Sequence, residues 1–167
     1  MANTATRRIN QWWGILIPAG LLCAACAYYL FIYTNIRESL IAALYCTGTV
    51  LFFVIKKWWK KAGPQWIIRI LLAFVCGGAP LTALVLGINK SFAAGAVHTG
   101  RFSVEAHGYQ PGGSGNHTPY LVIDFYGNRK ELPFYREDDS LAVAAKSVTI
   151  EYRKGLLGFE IISRRFL

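Results

Sequence analysis

Acidic residues are nearly absent from the first half of this chain. The 167-residue sequence contains 18 Lys and Arg against 9 Asp and Glu, and residues 1–90 contain a single acid, Glu38. Charged residues make up only 16% of the chain, whereas hydrophobic residues make up 54%. This composition excludes intrinsic disorder, because disordered chains are poor in apolar side chains and rich in charge.

The second half of the chain contains no cysteine. All four cysteines, at positions 23, 26, 46 and 76, lie in apolar runs that contain no Asp, Glu or His. A disulfide framework in the second half is therefore excluded. Redox or zinc chemistry at the cysteines is not expected, because hydrocarbon disfavours the thiolate. The missing acids and histidines also argue against a proton or ion transporter.

Three apolar runs occupy most of residues 13–90. Residues 13–33 carry no charge and as a helix reach about 32 Å, enough to cross a hydrocarbon core of about 30 Å. Residues 39–55 are uncharged but reach only about 26 Å, and residues 66–88 contain one charge near their start. Core helices of a soluble protein are the alternative, but such helices usually carry a polar stripe, which these runs lack. The runs predict three transmembrane helices.

Basic residues next to these runs predict the orientation. Cytoplasmic loops of membrane proteins are enriched in Lys and Arg, and the loop at residues 56–65 carries four lysines and no acid. The N-terminus and this loop are therefore expected in the cytoplasm, with the C-terminal domain outside it, in a multi-pass protein of the inner (plasma) membrane. The residues that set this topology are Arg7, Arg8, Lys56, Lys57, Lys60, Lys61 and Arg69.

The third run contains small residues and a proline. Pro80 has no N–H and clashes with the carbonyl group four residues earlier, which predicts a kink. Ala73, Gly77 and Gly78 predict a face on which another helix packs closely. A broken helix that lines a substrate path is the alternative.

After residue 90 the pattern changes from long apolar runs to short alternating segments. A small-residue linker at 91–96 leads into a predicted domain at 97–167, with strands at 101–107, 120–126, 129–135, 147–153 and 159–163. A Gly127-Asn128 turn would pair Ile123 with Leu132. The expected fold class is membrane α plus small all-β. In it, residues 1–12 precede helices at 13–33, 39–55 and 66–88, and a five-stranded antiparallel β-barrel or curled sheet of the OB or SH3 type follows.

No pattern of catalytic, metal-binding or cofactor-binding residues stands out. His98, His107 and His117 lack the spacing of a zinc site, and the Gly-rich loop at 110–118 lacks the G-K-[ST] ending of a phosphate loop. No cofactor and no metal are therefore expected. A nucleic-acid partner is also not expected. Residues 1–90 have nine basic residues and one acid, a net +8, so the excess charge lies beside the apolar runs.

These observations favour a non-enzymatic accessory subunit that holds an exported β module in the membrane. Its expected partners are the lipid bilayer and other membrane or envelope proteins, or further copies of itself. Tyrosine and arginine dominate interface hot spots. The candidate contact residues are Tyr109, Tyr120, Tyr126, Arg129, Tyr135 and Arg136. The alternatives are an immunity protein that neutralises a toxin at the membrane, and a membrane enzyme or transporter subunit that uses His107, His117 and Asp124.

Overall fold

A computed structural model describes residues 3–55, 66–111 and 117–167. The chain divides into two compact units. The first contains residues 1–30 and 37–88, and the second contains Phe31–Ile36 together with Asn89–Leu167. The predicted topology residues Lys56, Lys57, Lys60 and Lys61 lie outside the described residues. Arg7 and Arg8 fall within the first helix, but their side chains lie outside the described part.

The helices of the described chain are α1 (Asn3–Tyr33), α2 (Glu38–Ile55), α3 (Trp66–Ala73) and α4 (Ala79–Ser91), with a π-helical turn at Phe74–Gly78 between α3 and α4. Two helical segments among the described residues are long and apolar enough to cross a membrane, namely Gly14–Tyr33 and Ile67–Ser91. The predicted span at residues 39–55 corresponds to a shorter apolar helix, Glu38–Val54. It is short because the apolar run before the lysine-rich loop is itself short.

The helical segment with Pro80 is interrupted just before the proline. The backbone N–H of Ala79 donates to the carbonyl of Phe74, five residues earlier, so the preceding turn is widened. Pro80 has no N–H to donate and follows this wide turn directly. Where the sequence predicts a kink, the structure has a π-helical turn, and the helix continues through α4 to Ser91.

Glycines bring α2 close to the π-helical turn within the first unit. A Cβ added to Gly77 would lie 2.5 Å from the carbonyl oxygen of Gly48, and one added to Gly78 would lie 2.8 Å from the carbonyl oxygen of Tyr45. The rings of Tyr45 and Phe74 stack with their centroids 4.8 Å apart. Backbone atoms of the two segments thus meet directly, an approach that side chains larger than hydrogen would block.

The second unit is a curled, five-stranded antiparallel sheet in the order β3-β2-β1-β4-β5. Its strands are β1 (His98–Pro111), β2 (His117–Phe125), β3 (Asn128–Pro133), β4 (Ser147–Lys154) and β5 (Glu160–Phe166). A short helix, α5 (Asp139–Ala144), connects β3 to β4 after a 3-10 turn at Arg136–Asp138. The two edges of the sheet are β3 and β5. The predicted five antiparallel strands are confirmed.

The predicted pairing of β2 with β3 is wrong by two residues. Leu121 pairs with Leu132, and Ile123 pairs with Lys130 instead of Leu132. The turn consists of Tyr126 and Gly127, whose φ angles are 55° and 82°. Two residues with positive φ suit a tight hairpin, because that backbone twist matches the twist of the strands. A shift of two residues keeps every side chain on its predicted face.

The core lies on one face of the sheet. The alternating residues Leu121, Ile123 and Phe125 of β2 are fully buried, and they pack with Val148 and Ile150 of β4. The remaining buried members are Leu132, Phe134, Ala142 and Ile162. The period-two alternation along the strands places these residues on one face, whereas Val122 and Ile161 are buried outside this cluster.

Candidate functional site

The loop between α1 and α2 is built into the β unit. Thr34 forms an antiparallel bridge with Ile161 of β5, and the backbone N–H of Asn35 donates to the carbonyl of Glu160 at 2.7 Å. Thr34, Asn35 and Ile36 are all buried. Phe31–Ile36, which we call the plug segment, therefore lies against the edge strand β5 and limits its exposure.

The side chain of Asn35 joins the plug segment to two strands. Its amide nitrogen donates to Oε2 of Glu160 at 3.0 Å. Its amide oxygen accepts a hydrogen bond from Nδ2 of Asn128 at 2.7 Å. A buried amide whose oxygen and nitrogen are both bonded fixes the position of its segment, because an unbonded one would lose its hydration without compensation.

Lys130 is a buried lysine, only 5% exposed, on the core face of β3. Its Nζ donates to the carbonyl of Phe31 at 3.0 Å and lies 4.1 Å from the centroid of the Phe31 ring. That carbonyl belongs to the last turn of α1 and also accepts the backbone N–H of Thr34 at 3.2 Å, and the helix dipole favours a cation at this end. The lysine thus adds a second hydrogen bond and a cation–π contact at the helix end.

A shallow pocket of about 150 Å³ lies between the β1–β2 hairpin and α5. The ring of Tyr120 lies across Gly108 on the neighbouring strand, in space that a Cβ at residue 108 would fill. The strands supply most of the wall, and α5 supplies the rest. The lining residues are His107, Gly108, Tyr109, Pro119, Tyr120, Leu121, Ala142 and Val143.

The rim of this pocket is apolar and exposed. Of the lining residues, Tyr109 is 50% exposed and Val143 on α5 is 52% exposed. A hydrogen bond to the carboxylate of Asp139 raises the pKa of Tyr109, because the bond favours the protonated phenol. We call Tyr109, Tyr120 and Val143 the α5 patch. It combines aromatic rings with an exposed aliphatic side chain, which is the chemistry of a protein contact.

A second aromatic group surrounds the β2–β3 turn. Tyr126 is 60% exposed, and its hydroxyl is hydrogen-bonded to that of Tyr152. The ring of Phe125 packs edge-on against that of Tyr152, with 5.3 Å between their centroids. The bond to Tyr126, with burial as a smaller cause, raises the pKa of Tyr152 to about 12. The positive φ of Tyr126 is supported by Asp124, whose Oδ1 accepts a hydrogen bond from the N–H of Gly127 at 2.6 Å.

The predicted contact residues fall into separate groups. Tyr109 and Tyr120 share the α5 pocket, whereas Tyr126 lies at the turn that ends β2. Arg129 is exposed and pairs across the hairpin with Asp124. Tyr135 is 79% exposed on the segment between β3 and α5. The side chain of Arg136 lies outside the described residues. The structure therefore joins two of these residues and leaves the others apart.

The residues of the enzyme alternative are not brought into one cleft. His117 and Asp124 are separated by about 23 Å of extended β2 strand. Nε2 of His107 is hydrogen-bonded to the carbonyl of Ala145 at 3.0 Å. Within the described ranges, no group of three or more His, Cys, Asp or Glu residues is placed to hold a metal ion.

Sequence reasoning missed the plug segment and its partner Lys130. One pattern could have located Lys130: it alternates with Leu132 along a strand, so an inward Leu132 implies an inward Lys130. No comparable pattern identifies Asn35, whose partner Glu160 is 125 residues away.

Comparison with protein-family models, with curated proteins and with solved structures finds no match for this chain.

Proposed function

We propose that this chain is a three-span membrane protein that presents its β unit outside the cytoplasm and binds a partner protein there as a non-enzymatic accessory subunit. The exposed apolar α5 patch is the observation that carries the binding part of this proposal. Two further arguments support the membrane topology.

The first argument counts the membrane crossings between the plug segment and the β unit. The plug segment precedes α2, and the strands that it contacts follow α4, so both must lie on the same side of a membrane. Between residue 36 and residue 98 the chain must then cross an even number of times. If Ile67–Ser91 crosses once, the apolar helix Glu38–Val54 must cross as well. Its 17 residues reach about 26 Å, the short end of the usual range.

The second argument concerns which side of the membrane each segment faces. Parity fixes which segments share a side but not which side is cytoplasmic. The basic residues near the N-terminus and in the loop at residues 56–65 favour the cytoplasm for both segments. The plug segment and the β unit then face the exterior, in the inner or plasma membrane.

Labelling of single cysteines in sealed vesicles of known orientation tests this topology. In a variant without the native cysteines, Arg37→Cys and Tyr126→Cys should react with a membrane-impermeant maleimide from the outside, because both positions are exposed. Lys60→Cys should react only after permeabilisation. Reaction of Lys60→Cys and Arg37→Cys from the same side would contradict a crossing by α2. Reaction of Arg37→Cys and Tyr126→Cys only from the cytoplasmic side would contradict the orientation.

Purification in mild detergent at native expression tests the partner. We expect the wild-type chain to co-purify with another protein in fixed proportion. Val143→Asp should reduce that recovery by about tenfold or more, because it places a charge at the centre of an apolar contact. Phe166→Asp is the matched control, since residue 166 is 46% exposed on β5. Recovery of the wild-type chain alone as a monomer, or an equal effect of both substitutions in folded protein, would refute the assignment.

A further inference from the structure

The turn between β4 and β5 carries two exposed leucines. Leu156 and Leu157 are 60% and 48% exposed. The segment that connects α4 to β1 passes beside this turn, since a Cβ on Gly95 would lie 3.4 Å from the carbonyl oxygen of Lys154. On that segment Phe92 is 64% exposed and Val97 is 53% exposed. Single exposed apolar residues are ordinary, but a group of four on adjoining segments marks an interaction surface.

Hydrogen bonds hold this turn at the end of α4. The backbone N–H of Leu157 donates to Oδ1 of Asn89 at 2.9 Å, and that of Leu156 donates to the carbonyl of Asn89 at 3.3 Å. Nδ2 of Asn89 donates to the carbonyl of Phe159 at 3.3 Å. Asn89 is fully buried, and a Cβ on Gly155 would overlap its amide group. The leucines are therefore fixed beside Asn89 instead of extending freely into solvent.

The position of Asn89 determines how deep the turn between β4 and β5 lies relative to the bilayer. Ile67–Ser91 has 25 residues and as a helix reaches about 37 Å, which exceeds a hydrocarbon core of about 30 Å. Asn89 is two residues from the end of this segment, which places it where the hydrocarbon core meets the headgroups. A turn that is bonded directly to Asn89 lies at the same level.

We propose that Leu156, Leu157 and Phe92 insert into the outer leaflet of the bilayer and hold the β unit at the membrane surface. This inference rests on the proposed membrane crossing of Ile67–Ser91. Lys90 and Lys154 flank the apolar residues and are exposed, and their charged ends can reach lipid phosphates while their aliphatic stems cover the apolar surface. The connecting residues 92–97 are all apolar or glycine, as suits a segment in contact with lipid.

Fluorescence quenching by lipid tests the insertion. Leu157→Cys is labelled with an environment-sensitive dye in the full chain, in a variant without the native cysteines, and reconstituted into vesicles with and without brominated acyl chains. We expect brominated lipid to quench the dye and aqueous iodide to leave its emission unchanged. Tyr126→Cys is the surface control, since residue 126 is 60% exposed against 48% for Leu157, and it should show the reverse. Leu84→Cys, at a position 59% exposed on α4, reports the membrane span.

The outcomes separate the insertion from the span. Quenching at residue 84 but not at residue 157 would overturn the insertion and leave the crossing intact. Loss of quenching at both positions would overturn the crossing. Protection of residue 157 from both quenchers would show that a protein covers the turn, which also overturns insertion. If Leu157→Cys does not fold, Leu156→Cys replaces it, because Leu156 lies in the same turn and is more exposed, at 60% against 48%.

Discussion

Replacing Gly48 with alanine should loosen the packing of α2 against the π-helical turn. A Cβ at residue 48 would lie 2.5 Å from the carbonyl oxygen of Gly77 and 2.8 Å from the Cα of Gly78. Both are backbone atoms, so no side chain can rotate away and the two segments must separate. Gly87 is the matched control in the same helical unit, because a Cβ there would meet no atom within 4 Å.

The magnitude follows from two opposing terms. Overpacking against a fixed neighbour costs about 1–3 kcal/mol. Exchange of glycine for alanine inside a helix returns about 0.5–1 kcal/mol. We therefore expect Gly48→Ala to lower the free energy of unfolding by about 0–2.5 kcal/mol and Gly87→Ala to raise it by about 0.5–1 kcal/mol. The helix gain is common to both variants, so they differ by the overpacking cost of about 1–3 kcal/mol. At about 2–4 °C per kcal/mol, their Tm values should differ by about 2–12 °C.

Thermal unfolding of the full-length protein in detergent measures this difference, with loss of helical circular dichroism as the readout. The wild type and both variants are compared in the same detergent at the same concentration. Equal Tm values for Gly48→Ala and Gly87→Ala would refute the close approach of α2 to the π-helical turn. A Tm for Gly48→Ala above that of Gly87→Ala would also refute this close approach.

Three further outcomes test the β unit. Asn35→Ala should lower the free energy of unfolding of the β unit by about 2–4 kcal/mol, because the side chains of Glu160 and Asn128 lose their partner. Ser163→Ala, at an exposed position, is the control and should change it by about 0.5 kcal/mol or less. Denaturant titration measures both variants. Tyr126→Phe should return the pKa of Tyr152 from about 12 towards 10.0, as seen in tyrosinate absorbance. Stability from this tyrosine pair is present below the unfolded pKa of about 10 and is lost as the pH rises through about 12, since the folded pKa is raised. A fragment of residues 97–167 should aggregate, because the edge strand β5 loses the plug segment that bonds to it. A peptide of the plug segment should suppress the aggregation. A fragment that stays soluble and monomeric without the peptide would contradict this role of the plug segment.

The local pattern of the sequence was sufficient for the strands and their faces. Leu121, Ile123 and Phe125 recur at every second position, and this period of two depends only on strand geometry. The same holds for Val148 and Ile150. The apolar runs likewise predict helices, two of which are long enough to cross a membrane. These features need no information from distant parts of the chain.

The register in which β2 pairs with β3 depends on which two residues form the turn between them. The sequence around residue 127 allows a turn of Tyr126-Gly127 or of Gly127-Asn128, and both keep the apolar residues of β2 on one face. The carboxylate of Asp124 favours the first turn, because it accepts the N–H of Gly127. A hydrophobic pattern cannot reveal such a bond, so the register was predicted two residues away from the observed one.

The candidate site was only partly predictable. Tyrosines were singled out by residue type, and two of them line one pocket because β1 and β2 pair in register. The exposed Val143 that completes the α5 patch was not among the predicted contact residues. It follows a turn of charged residues on a helix of only six residues, too short for a helical period to separate a buried face from an exposed one.

The plug segment couples the threading of the chain to the completion of the β unit. Asn35 and Glu160 are separated by 125 residues, so their bonds form only after β5 has been synthesised. Lys130 and Asn128 likewise bond to the plug segment, since Nζ of Lys130 donates to the carbonyl of Phe31 and Nδ2 of Asn128 donates to the amide oxygen of Asn35. A chain threaded with the plug segment on the other side of the membrane could not supply these partners at all. In the proposed membrane topology, the cost of these unsatisfied buried groups would therefore oppose such threading.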